Sequence, residues 1–147
     1  MTSTLITAKW SLEEYHRMIA AGILSDRQVE LLQGEIVEMA PEGQPHAHLS
    51  SDGADYIRVV LVLRDQAKVR EEKPITLPNA SELEPDIAVV QNLGDVYLEH
   101  HPYPENIFWV IEYADSSLVT DLEIKSQVYA QAGIQEYWVV NLKYMEL

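Results

Sequence analysis

Asp86, Glu112 and Lys125 are the residues whose type and placing carry the clearest chemistry in this chain. Asp86 follows Pro85 at the head of an apolar stretch, Ile87 to Val90, where its carboxylate can project from the rim of a sheet. Glu112 closes the run from Ile107 to Ile111, and a charge at the end of so apolar a segment costs desolvation unless a cation or hydrogen bonds compensate it. If the two strands are neighbours, both acids converge as oxygen ligands for a hard cation such as Mg2+, with the Tyr113 backbone carbonyl as a third donor. A metal held there would polarise a phosphoryl oxygen and lower the pKa of a bound water. A purely structural reading stands beside this one, in which Asp86 belongs to a Pro-Asp turn and Glu112 pairs with a buried lysine.

Lys125 lies one turn after Asp121, and its long stem could swing an ammonium toward the same metal-bound water or scissile phosphate. The competing assignment is an Asp121–Lys125 i,i+4 pair on a solvated helix face, worth about 0.2–0.5 kcal/mol. Glu30 is a candidate outer metal ligand, and His46 a candidate contact to phosphate or water. His100 and His101 are adjacent, point apart and have no further ligand at metal-binding spacing. Tyr129, Tyr137 and Trp138 read as core rather than as a base-stacking platform, because no Lys or Arg is interleaved with them. A Gly-rich phosphate loop, a Gly-x-Ser-x-Gly elbow and a Ser/His pairing are all absent, which removes kinase, dinucleotide and serine-hydrolase readings.

These side chains need elements to carry them. Ser11-Leu-Glu-Glu14 has the form of a capping box and predicts a helix to about Ala21, with Gly22 as its stop. Val29–Leu32, Gln33-Gly34 and Glu35–Met39 read as a tight hairpin. Helical spacing of apolar residues from Leu49 to about Leu63 gives a long helix, followed by short strands at Lys68–Glu72, Pro74–Leu77 and Pro85–Gln91, with a polar loop from Gln91 to Glu105. Ile107–Tyr113 is a strand buried on both faces. Thr120 or Asp121 is placed as cap of a second helix that Gly133 ends before a last strand, Glu136–Leu142. The order predicts an α/β (α+β) fold: a central mixed β-sheet flanked by helices, with the last strand-helix-strand unit as a parallel crossover.

The chain has 147 residues, 47% of them hydrophobic and 23% charged, which fits one domain spanning residues 1–147. It has no cysteine, so disulfides, thiolate metal sites and a cysteine nucleophile are unavailable, as in a reducing cytoplasm. No apolar segment approaches the roughly 20 residues of a membrane helix, and the expectation is a cytoplasmic protein without a membrane partner. The net charge of -14 runs against a nucleic-acid partner, since duplex binding ordinarily clusters Lys and Arg. Bound divalent cations or a partner would have to offset it.

Taken in order, Glu30-Leu-Leu-Gln-Gly-Glu-Ile-Val-Glu-Met39, Pro41-x-x-x-x-His46, Glu84-Pro-Asp86, Trp109-Val-Ile-Glu-Tyr-Ala-Asp-Ser-Ser-Leu118, Asp121-x-x-x-Lys125 and Tyr129-Ala-x-Ala-Gly-Ile-x-Glu-Tyr-Trp138 resemble the Uma-type endonucleases of the PD-(D/E)xK nuclease superfamily. The similarity runs from about Leu12 to Leu142. It implies a restriction-endonuclease-like core, Mg2+ (or Mn2+) dependence and phosphodiester hydrolysis, with Asp86 and Glu112 as metal ligands. The superfamily's usual lysine position, two residues after the second acid, holds Ala114, and the family's relocated lysine corresponds to Lys125. Asn141 stands where the family has Asp, and the family's further C-terminal strands are not found after it. The expected function is a metal-dependent endonuclease acting on DNA, in which a homodimer would cut both strands. Its rivals are a catalytically inactive nuclease-fold binding or assembly module and a metal-dependent hydrolase of a small phosphate ester.

Overall fold

The computed structural model describes residues 5–61 and 65–147. Helix α1 (Leu12–Ala20) opens on the expected capping box: Ser11 Oγ accepts from the Glu14 amide at 3.1 Å, and the Ser11 amide donates to Glu14 Oε2 at 2.9 Å. Strands β1 (Val29–Leu32) and β2 (Glu35–Glu38) form the predicted antiparallel hairpin. Gln33 and Gly34 both have positive φ at its turn, as a two-residue turn matched to strand twist requires. Helix α2 (Gln44–Leu61) starts five residues before the spacing at Leu49 indicated, and its expected end at Leu63 lies outside the described residues.

The strands that follow are β3 (Ala67–Glu71), β4 (Ile75–Leu77), β5 (Ser81–Leu83), β6 (Ile87–Gln91), β7 (Ile107–Ala114) and β8 (Tyr137–Asn141). The fold is the expected α/β arrangement of a mixed sheet flanked by helices, with the strands shared between two four-stranded sheets, β2-β1-β5-β4 and β3-β6-β7-β8. The second is mixed: β7 and β8 run parallel across the predicted crossover, and its other pairs are antiparallel. The chain leaves this sheet after β3 and returns to it at β6. Both passages occur at prolines, Pro74 and Pro85, which end strand pairing by withholding an amide. The Glu72 amide, at a residue with φ of +47°, bonds the Pro85 and Asp86 carbonyls and ties the two passages together. β5 follows directly on Asn79-Ala80, and with only three residues beside turn formers it carries no strand signal of its own.

Strand alternation builds two cores on the mixed sheet. Ile87, Val89 and Ile111 face α2 and pack with Ala54 and Ile57. Ala88, Val90 and Val110 face the other way, into a core shared with Leu77 and Leu83 of the first sheet and with Val128 and Tyr129 of α3 (Ser126–Gln131). Helical structure after β7 begins at Leu118 and runs through a π-helical turn, Thr120–Lys125, into α3, so Thr120 and Asp121 lie within the helix and do not cap it. Trp138 also departs from the core reading. It is 39% exposed, packs edge-on against Trp109 with centroids 4.7 Å apart, and lines an apolar groove of about 1230 Å³ beside α2.

Close approach of α2 to β7 requires Gly53: a Cβ there would land on the Tyr113 hydroxyl and lie 3.2 Å from its Cζ. At an open helix site Gly→Ala gains up to about 1 kcal/mol, whereas overpacking costs about 1–3 kcal/mol. Gly53→Ala is therefore expected to lower unfolding free energy in denaturant melts, and to cost clearly less in a Tyr113→Phe background. Equal costs in both backgrounds would rule out the hydroxyl as the obstacle.

Candidate functional site

Glu30 sits in β1, all four of whose residues are buried, so its carboxylate is held in the interior between Val29 and Leu31. Glu112 occupies the alternation phase of Val110 and points to the α3 side of the mixed sheet. Asp86 is set by the Pro85 turn at the mouth of β6. The turn Thr120–Lys125 brings in Asp121 and Lys125. Glu30, Glu112, Asp121 and Lys125 are 4%, 4%, 2% and 8% exposed, and the three acids surround one ammonium. Lys125 Nζ lies 2.9 Å from Glu30 Oε1, 3.4 Å from Glu112 Oε1 and 3.7 Å from Asp121 Oδ1. The i,i+4 pair of Asp121 with Lys125 exists, yet it is buried rather than solvated.

The acids are also strapped to backbone. The Glu84 amide donates to Glu30 Oε2 at 3.2 Å, the Asp86 amide to Glu112 Oε2 at 3.3 Å, and the Tyr113 amide to Asp86 Oδ2 at 2.6 Å. The last two form a reciprocal link across the strand ends: each acid accepts from the backbone beside the other. Tyr129 donates its hydroxyl to Glu112 Oε1 at 3.2 Å, and Ser117 Oγ donates to Asp121 Oδ2 at 2.6 Å. These bonds orient the carboxylates without neutralising them.

Electrostatics follow from burial and crowding. Burial alone would lower the Lys125 pKa, but Glu112, Glu30 and Asp121 outweigh it and hold the ammonium charged. Burial pushes the Glu112 carboxyl up to about 8, Lys125 opposes that shift, and Asp86, Asp121 and Glu30 add to it. Burial likewise raises Asp121 against the pull of Lys125.

His46 lies at the Asp86 side of the same cleft, with Nε2 3.1 Å from Asp86 Oδ2 and Nδ1 3.2 Å from Glu42 Oε1. Its hydrogen bond with Asp86 raises its pKa despite burial. Nε2 is engaged by Asp86, whereas Nδ1, near Glu42, makes no hydrogen bond, so a phosphate or water would have to be met at Nδ1 or by release of Asp86. The cleft has a volume of about 1000 Å³, and Glu30, His46, Asp86, Glu112, Tyr113 and Lys125 all contribute to its wall.

The structure thus gathers all six sequence candidates at one cleft, with Asp86 and His46 on one side and the Lys125 cluster on the other. Asp121, Tyr129 and Glu42 were not read as members. Asp121 was taken for half of a solvated pair and Tyr129 for core alone, though a buried tyrosine needs a partner for its hydroxyl. Glu42 stands four residues before His46, a helical spacing that could have linked them.

A family model described as "Putative restriction endonuclease" and named Uma2 matches residues 12–146. No curated protein matches the chain. A solved structure from Anabaena variabilis, described as "a putative nuclease belonging to DUF820", is similar with a TM-score of 0.62 and 19% sequence identity. The similarity covers 89% of this chain and 73% of that one, and at that identity it shows a common fold.

The raised Glu112 pKa sets a pH dependence. Between about 4.5 and about 8 the folded state holds a proton on Glu112 that the unfolded chain has released, so stability falls as pH rises through that window. In chelator, the Tm of the wild-type protein should drop more steeply over this range than that of Glu112→Gln, which cannot ionise. Parallel pH profiles would show that Glu112 is already ionised at low pH.

Proposed function

The chain belongs to the Uma2 family, whose description supports a nuclease-like function, and from that premise we propose that it is a Mg2+-dependent endonuclease hydrolysing phosphodiester bonds of DNA. The observation that carries the reading is the convergence of Glu30, Glu112 and Asp121 on one buried lysine, within 4 Å of its ammonium, in a cleft that also holds Asp86.

The donor set fits a hard divalent cation. Asp86 and Glu112 offer carboxylate oxygens, with the Tyr113 carbonyl in the same cleft wall, and Mg2+ and Mn2+ prefer such donors to nitrogen or sulfur. Charge points the same way: the acids of the cleft outnumber the one ammonium, and a cation would take the place of the proton that burial favours on Glu112. A magnesium ion at Asp86 and Glu112 would supply Lewis-acid polarisation of the phosphate and acidify a water.

The protein's own groups divide the remaining work. Lys125, kept charged by its acidic neighbours, presents fixed positive charge to the attacking water and to the charge developing on phosphate. Glu30 holds the lysine stem's end at 2.9 Å and so sets where that charge sits. The backbone bonds to Asp86 and Glu112 preset the carboxylates, which lowers the reorganisation needed when a substrate arrives. His46 steadies Asp86 from the side of α2.

A second reading, a non-cutting module that keeps the nuclease fold, draws on one observation: 24 acidic against 10 basic residues, a poor balance for gripping duplex phosphates. Purified protein tested on supercoiled plasmid at low salt with Mg2+ or Mn2+ separates the two. Metal-dependent nicking is expected, with losses of about 100-fold or more in Asp86→Asn, Glu112→Gln and Lys125→Met. A folded protein that nicks nothing with either metal overturns the nuclease reading. Cleavage of a small model phosphodiester without action on plasmid would move the substrate class to small phosphate esters.

A further inference from the structure

The side of the cleft away from Lys125 carries a cluster of a different chemical kind. Glu42 stands in the loop before α2, His46 in its first turn, and Asp86 at the mouth of β6. One ligand atom from each lies within 4.8 Å of the other two, the closeness expected of groups arranged about a single ion. Glu72 lies against Glu42, so a fourth carboxylate from the end of β3 adjoins the cluster. These residues come from separate parts of the chain, and the Glu72 amide's bonds to the Pro85 and Asp86 carbonyls tie two of those parts together.

One feature points to a ligand. His46 Nδ1 is buried and has no hydrogen-bond partner, although Glu42 Oε1 is only 3.2 Å away. An imidazolium clamped between Glu42 and Asp86 would satisfy that nitrogen, but the Glu42 contact, though close, lacks hydrogen-bond geometry. A divalent ion beside Glu42 would take the Nδ1 lone pair while Nε2 stays on Asp86 across the ring, the arrangement in which a carboxylate orients a metal-bound imidazole.

The donor set identifies the class of ion. The Lys125 side offers oxygen only and favours Mg2+, whereas one imidazole beside carboxylates favours a borderline first-row metal such as Zn2+ or Mn2+. We infer that Glu42 and His46, with Glu72 adjoining and Asp86 holding the far side of the imidazole, form a second divalent-metal site selective for imidazole-accepting ions, next to the carboxylate pocket to which Asp86 also belongs. The inference does not depend on DNA cleavage, since it concerns ion binding by these four residues.

Calorimetric titration of the full chain with Zn2+, in millimolar Mg2+ to fill oxygen-only sites, tests it independently of activity. One Zn2+ per chain is expected to bind despite that Mg2+. Affinity should fall at least tenfold in His46→Ala and in Glu42→Gln, and stay within about threefold of wild type in Glu112→Gln. Glu42 is surface-exposed, so its substitution leaves folding intact even if His46→Ala proves unstable in a thermal melt. Failure of the wild-type chain to bind Zn2+ under these conditions overturns the site. So does binding that survives both substitutions, which would place the ion elsewhere, for example at His16, Glu82 and His101, where the imidazoles lie 2.7 and 3.9 Å from the Glu82 carboxylate. Plasmid nicking without Zn2+ binding would remove this inference and leave the nuclease reading standing, and the reverse result would do the opposite.

Discussion

Glu30, Glu112 and Asp121 arrive from a hairpin of one sheet, a central strand of the other and the helical turn that follows it, and without a cation between them they would repel one another in surroundings nearly free of water. The Lys125 ammonium lets these three elements close together. Removing one partner of such a buried group typically costs about 3–5 kcal/mol, because the others remain in place without their counter-charge. The junction of the two sheets therefore rests on an ionic contact as well as on the apolar core beside it. That core, with Leu77, Leu83, Val110 and Tyr129, could be supplied by many sequences. The ionic contact requires acids and lysine at particular positions.

Local signals were legible in the sequence wherever one short stretch decides the outcome. The capping box at Ser11–Glu14, the Gln33-Gly34 turn, the doubly buried strand ending in Glu112 and the parallel crossover to β8 all follow from spacing and residue type. What failed depended on partners distant in sequence. Ser81–Leu83 is a strand because β1 and β4 flank it, a pairing that three residues among turn formers do not announce. Asp121 has the composition of a helix cap, but the helix starts three residues earlier and buries it. Trp138 has the character of a core residue and stands at the edge of a groove instead. The division into two sheets was likewise hidden, since periodicity records which way a side chain points and not which strand lies beside it.

The candidate site shows the same split. Asp86 and Glu112 could be picked out singly, by position at strand ends, and their order along the chain carried a family resemblance. The three-acid arrangement around Lys125 could not, because a solvated pair and a buried cluster share the same Asp-x-x-x-Lys spacing. The net charge of -14 also takes on a local meaning here: at least five acids, Glu30, Glu42, Asp86, Glu112 and Asp121, line this one cleft. A surface deficient in Lys and Arg is less of a contradiction when part of the excess acid is gathered where cations would be held.

The reciprocal straps between Asp86 and Glu112 give these carboxylates two separate employments. Each completes a backbone hydrogen bond of the other's strand end, in a place where an unsatisfied amide would be costly. An acid that is part of the scaffold is needed for folding whatever chemistry the cleft performs. Descendants of such a domain that lose their chemistry would be expected to shed peripheral groups first and keep the acids at the strand mouths, so the architecture itself can preserve the outline of an active site long after selection for turnover has lapsed.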